Sequence, residues 1–166
     1  MAQSEFIIDL SEFEKLFNRA TVQLVPEAAE RGLGAAGLQL EKDSAMQAPT
    51  VPHDKGTLRG SASVFVQNKL LEESVGAIKG SKPGQHATDH KEPLKKGEMV
   101  AVIGFNSPYA AYQHEGQRQD GSYVVKQYSD AKGSQPGPKF LEQPLSDNRK
   151  QYMGRVEHEI KKVLGN

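Results

Sequence analysis

Arg59-Gly60-Ser61-Ala62-Ser63-Val64-Phe65-Val66-Gln67 is where the period of this chain changes. Ala62, Val64 and Val66 alternate with Ser61, Ser63, Phe65 and Gln67, the two-residue repeat of a half-buried strand. Two stretches before it, about 12–24 and 26–47, repeat at helical spacing. Helices followed by strands predict an α+β fold.

Upstream, Ser11 followed by Glu14 forms a capping-box pattern that opens a helix over about 12–24. Phe13, Leu16, Phe17, Ala20 and Leu24 make one apolar stripe on it. Pro26 cannot continue that helix's hydrogen bonding but can start a new one, so a second helical stretch is predicted over 26–47, with Ala29, Leu33, Ala36 and Leu40 on one face. Gly32, Gly34 and Gly37 weaken it and point to a kink or to close packing. Pro49 ends it.

Downstream, residues 73–79 repeat the alternation more weakly, and a hairpin through 68–72 would pair them with the first strand. Residues 99–105 are apolar on both faces and read as the most buried strand. Tyr123 to Tyr128 alternates after Asp120-Gly121 and makes a fourth. Residues 144–164 close the chain as one long amphipathic helix, with Leu145, Tyr152, Met153, Val156, Ile160 and Val163 on one face. The expectation is thus a single α+β domain: a small antiparallel sheet of about four strands packed against a long N-terminal helical region and a long C-terminal helix. Residues 80–98 and 129–138 are rich in Pro, Gly and polar groups and read as loops, the first of them mobile.

Composition narrows the function. Lys plus Arg number 21 and Asp plus Glu number 21 in 166 residues, which removes the long-range field of a free nucleic-acid binder and favours protein partners. The chain has no Cys, so disulfides and thiolate metal sites are impossible and folding in a reducing cytoplasm is the expectation. Phe6-Ile7-Ile8, between Glu5 and Asp9, is too short and too acidic for a signal peptide, and no membrane span is foreseen. No cofactor motif occurs: Gly32-Leu33-Gly34 lacks the third glycine and the preceding strand of a phosphate loop.

His86, Asp89 and His90 could offer two imidazoles and a carboxylate to a metal only if they lay on a helix, and their neighbours argue for a solvated loop. His114-Glu115 could be an acid–base pair, but adjacent helical residues point apart and no nucleophile is near. Ser107, Pro108 and Gly116 frame a short helix as cap, first residue and left-handed stop. Tyr109 and Tyr112 share a face of it, suited equally to internal packing and to a subunit interface.

Three junctions stand out in order: Ala48-Pro49 leading to Gly56-Thr57-Leu58-Arg59-Gly60-Ser61, then Pro108-Tyr109-Ala110-Ala111-Tyr112-Gln113-His114-Glu115-Gly116, then Pro138-Lys139-Phe140-Leu141. This series resembles the tail-completion, or head-to-tail connector, proteins in the neck of long-tailed bacteriophages. Asp54-Lys55 stands where that family often has Asp-Thr. The resemblance implies a structural virion protein, not an enzyme, with no cofactor, assembled in the host cytoplasm. It implies a homo-oligomeric ring, hexameric or else dodecameric, that joins the capsid portal to the tail tube. Its neighbours would be other neck proteins, such as adaptor or stopper proteins, and the tail terminator or tail tube, with DNA passing through the lumen. The candidate corner or interface residues are Leu58, Arg59, Tyr109, Tyr112, His114, Phe140 and Leu141. The alternatives are a tail terminator ring, or a small cytoplasmic enzyme or binding module using His86, Asp89 and His90.

Overall fold

The computed structural model describes residues 11–52, 56–78, 81–82, 86–91, 93–116 and 135–165, with backbone only for 11–14. The predicted fourth strand and most of the 129–138 loop lie outside the described residues, as do the side chains of the capping box.

Helix α1 (Ser11–Arg19), a π-helical turn (Ala20–Leu24) and α2 (Val25–Met46) form one unbroken helix, since the linking residues Arg19, Leu24 and Val25 all hold right-handed helical angles. The expected restart at Pro26 does not occur. The Val25 N–H bonds Ala20 O, five residues back, and this widened turn sits immediately before the residue that lacks a donor. On the apolar stripe of α1, Leu16 and Phe17 are 65% and 57% exposed.

Among the described residues the sheet has three strands in the order β2-β1-β3, antiparallel throughout: β1 (Ala62–Val66), β2 (Lys69–Leu70) and β3 (Ala101–Phe105). Gln67 and Asn68 make the two-residue turn at φ 50° and 63°, the left-handed pair that matches strand twist. The turn is thus earlier and tighter than expected. The predicted strand over 73–79 is replaced by a 3-10 turn at Glu72–Ser74. Its cause is local: the Ser74 hydroxyl accepts the Val64 N–H at 3.0 Å and donates to Leu71 O at 2.6 Å, which takes up the donor a longer β2 would have used.

β1, not the 99–105 segment, is the most buried strand. It is central and buried at every position, whereas β3 lies at the edge among the described strands and is half-buried along its length. α2 covers one face of β1. On the other, His90 lies against Phe65 with ring centroids 5.7 Å apart, so part of the 80–98 excursion covers the sheet.

The glycines of α2 explain how three layers fit. A Cβ on Gly37 would stand 2.6 Å from Val64 Cγ1, and one on Gly32 would stand 2.5 Å from Val156 Cα. α2 is therefore held close to the sheet on one side and to a C-terminal helix on the other. The expected single C-terminal helix is two, α4 (Glu142–Asp147) and α5 (Arg149–Leu164), parted at Asn148. α5 packs on α2, antiparallel, instead of on the sheet. Tyr152, Val156, Ile160 and Val163 turn inward, while Leu145 and Met153 are 49% and 52% exposed.

A polar ladder ties α2 to the C-terminal helices. Arg155 Nη2 donates to Gln39 Oε1 at 2.8 Å, the Tyr152 hydroxyl to Asp43 Oδ2 at 2.7 Å, and Asn148 Nδ2 to Gln47 Oε1 at 2.6 Å. Burial, and then the Asp43 carboxylate, hold the Tyr152 phenol protonated well above its ordinary range. No helix among the described residues is long and apolar enough to cross a membrane.

Candidate functional site

The three junctions fold into one corner. Val51, Leu58, Ala62, Ile78, Ala110 and Phe140 are mutually packed and buried, with Phe105 and Leu141 against them. Phe140 is 1% exposed and meets Phe105 and His114 edge-on at 5.3 Å and 5.0 Å. Each junction thus supplies one wall.

The first wall starts at Gly56, whose φ of 82° suits glycine and whose carbonyl accepts the Gly60 N–H. That turn puts Leu58 inward at 4% exposure and lays Arg59 beside Val51. Arg59 Nη2 and Nε donate to Val51 O at 3.1 Å and 3.4 Å, and burial lowers the guanidinium pKa from its ordinary value. Arg59 is a tie between the end of α2 and the entry to β1, not an outward cation.

The second wall is α3 (Ala110–Glu115). It begins later than Pro108, because the Ser107-Pro108-Tyr109 turn closes through Ala110 N–H to Ser107 O at 2.9 Å. Gly116 ends it at φ 71°, as the sequence predicts. Tyr109 is 42% exposed and shares a 2.9 Å hydrogen bond with Thr57 Oγ1, while Tyr112 is half-buried. Ala110, not either tyrosine, enters the core.

The third wall turns at Lys139, with φ 62°, whose N–H donates to His114 O at 2.6 Å. Its Nζ lies 2.7 Å from Glu115 Oε2 and 2.9 Å from Glu142 Oε2. Lys139, then His114, hold the Glu115 carboxyl below the usual carboxylate range, and Glu115, then Glu142, raise Lys139. His114 and Glu115 do meet, contrary to the helical expectation, with Nδ1 3.0 Å from Oε1. His114 Nε2 is buried and unpartnered among the described residues, and the ring stands against Phe140. A general base needs its nitrogen within hydrogen-bond reach of a substrate proton, and this one points into packing.

Beside the corner, Ala48, Pro49, Gln135, Pro136, Gln143 and Asp147 line an open groove of about 420 Å³. Thr50 N–H donates to Gln135 O at 2.8 Å and Gly137 N–H to Thr50 O at 3.2 Å, which ties residues 135–137 to Thr50. The groove offers amides and one carboxylate, and that carboxylate already accepts from Gln143.

His86, Asp89 and His90 are not brought together. No group of three potential ligands converges among the described residues; Asp89 instead pairs with Lys91 at 3.2 Å, and His90 lies on Phe65.

Glu41 escapes sequence reasoning. It is fully buried, neither carboxylate oxygen has a partner among the described residues, and burial, opposed by the charge of Lys42, pushes its pKa up to about 7. The Gln39, Asp43 and Gln47 spacing was the available signal for the ladder to α5, four residues apart on one helical face.

Comparison of the chain with protein-family models, with curated proteins and with solved structures gave no match.

Proposed function

We propose that this chain is a structural subunit of a phage neck, forming a ring that joins the capsid portal to the tail tube. The observation that carries the reading is the convergence of the three junctions on Phe140: the segments that carry the resemblance are the walls of one corner. The corner ties the chain to itself. Arg59 grips a carbonyl, His114 packs, and Lys139 bridges two carboxylates of its own chain. The open surfaces suit assembly as well, since β3 is an edge strand and α1 exposes an apolar stripe.

Deleting the gene from the phage that encodes it should leave filled heads and separate tails that fail to join, with DNA packaging intact. Normal infectious particles from the deletion, or absence of the protein from purified virions, would overturn the reading. A tail terminator would give tails of abnormal length instead, so electron microscopy of the deletion separates the two positions.

A further inference from the structure

A carboxylate lies in the seam between α2 and the sheet. Glu41 is fully buried, and both of its oxygens lack a hydrogen-bond partner among the described residues. Successive helical residues turn by about 100°, so Glu41 falls within about 40° of Gly34 and Gly37 and nearly opposite Asp43. Gly34 faces Leu71 and Val66, Gly37 faces Val64 and Ile103, and Asp43 meets Tyr152 of α5. One turn further along the same side, Ala45 packs against the corner core. Glu41 is therefore set between the helix layer and the sheet, on the side away from the polar ladder.

No described group around the seam answers its charge. β1, β3 and the π turn carry no titratable side chain. In the corner, Arg59 donates to Val51 O, and His114 and Lys139 engage Glu115. Glu72 and Glu73 of the 3-10 turn and Glu142 and Asp147 of α4 are exposed acids. On α5, Tyr152 and Arg155 reach Asp43 and Gln39 on the opposite side of α2, Glu159 pairs with Arg31 and Lys162, and the other charged groups are exposed. On α2 itself, Glu27, Glu30 and Arg31 lie toward the far end, and the charge of exposed Lys42 offsets burial only in part.

An unpaired buried carboxylate either stays neutral or gains water. Burial holds the Glu41 proton, up to about 7, and its oxygens meet water only when the layers part. We propose that Glu41 makes this seam proton-controlled: while the acid is neutral, α2 lies closed on β1 and the corner, and its ionisation parts the helix layer from the sheet. The hydrogen bonds from Tyr152 to Asp43 and from Asn148 to Gln47 keep the C-terminal helices on α2, so the helix layer moves as one. The closed form holds the proton more tightly than the open form. Closure is therefore fully favoured below the ordinary value of 4.5 and is lost as pH rises through about 7. This is a property of one subunit, and it goes beyond the neck reading without resting on it.

Hydrogen exchange of the full chain, followed by NMR at pH 6 and pH 8, reads the opening. The Val51 N–H crosses the seam to Ser44 O and is the reporter. The Leu71 N–H to Val64 O, within the sheet, and the Tyr152 N–H to Asn148 O, within the helix layer, are the controls. Once the intrinsic pH dependence of exchange is divided out, protection of Val51 should fall about tenfold between the two pH values while both controls hold. Glu41→Gln keeps the shape and cannot ionise, so it should keep Val51 protection constant. A 13C-carboxyl titration of the unaltered chain needs no variant to fold, and in it Glu41 should titrate near 7. Val51 protection that does not change, that falls equally in Glu41→Gln, or that falls together with both controls would overturn the inference. So would titration of Glu41 in the ordinary carboxylate range.

Discussion

Glu41 is fully buried on α2 with no partner for its carboxylate among the described residues, and the sign of its effect follows from its raised pKa. The folded state binds its proton more tightly than the unfolded chain does, so the stabilising contribution is complete below the ordinary value of 4.5 and is lost as pH rises through about 7. Glu41→Met removes the charge and keeps the volume. It should raise stability at pH 8 by up to about 3 kcal/mol and flatten the loss between pH 5 and 8. Urea unfolding of both proteins at the two pH values checks this, and parallel profiles would sink it. Phe140 is the opposite kind of residue, legible from the Pro138-Lys139-Phe140-Leu141 turn and buried as its neighbours imply. Phe140→Ala should cost about 3–5 kcal/mol, whereas Tyr109→Phe, which loses one exposed hydrogen bond to Thr57, should cost under about 1 kcal/mol. Thermal melts rank the two. Glu41 was illegible because a periodic pattern shows which face of a helix is apolar but not that a carboxylate sits within that face.

At the scale of elements, the sequence reading holds where period and terminator agree and slips where one side chain redirects the backbone. β1 and the long α2 follow from the alternation at 61–67 and the apolar spacing from Ala29 to Leu40. The strand expected over 73–79 fails because Ser74 takes the Val64 donor. β3 looked most buried by composition, yet strand order decides burial, and order is not written in any one strand. The glycines give a prediction of opposite signs. Gly32→Ala improves helix propensity by about 1 kcal/mol but brings a methyl to 2.5 Å from Val156 Cα, a backbone atom, so overpacking of about 1–3 kcal/mol should win and the protein should be less stable. Gly154→Ala meets nothing within 4 Å and should stabilise the isolated subunit by up to about 1 kcal/mol. Equal effects in chemical denaturation would mean that the close approach of α2 and α5 does not limit the fold.

The described residues divide into a closed corner with its helix layers and the exposed apolar surface of α1, and solution measurements should separate them. Residues 93–98 are in no helix or strand, and their hydrogen bonds are Glu98 N–H to Lys95 O, Lys95 N–H to Glu98 Oε2 and Gln67 Nε2 to Glu98 O among the described residues. Their amides should exchange quickly in the isolated subunit and slow on assembly, while β1, buried throughout, stays protected in both. Assembly itself is the final expectation. A contact between two different patches carries a fixed rotation, so it yields a closed ring when that rotation divides a full turn and an open filament when it does not. A joint between a portal and a tube needs closure, and the resemblance favours six copies, with twelve as the other symmetry available. Native mass spectrometry of the full chain should therefore show one discrete closed species above the monomer, at a mass that stays constant as concentration rises. A ladder of lengths growing with concentration would mean the contact does not close, and a monomer that persists even when supplied with portal and tail components would remove the ring altogether.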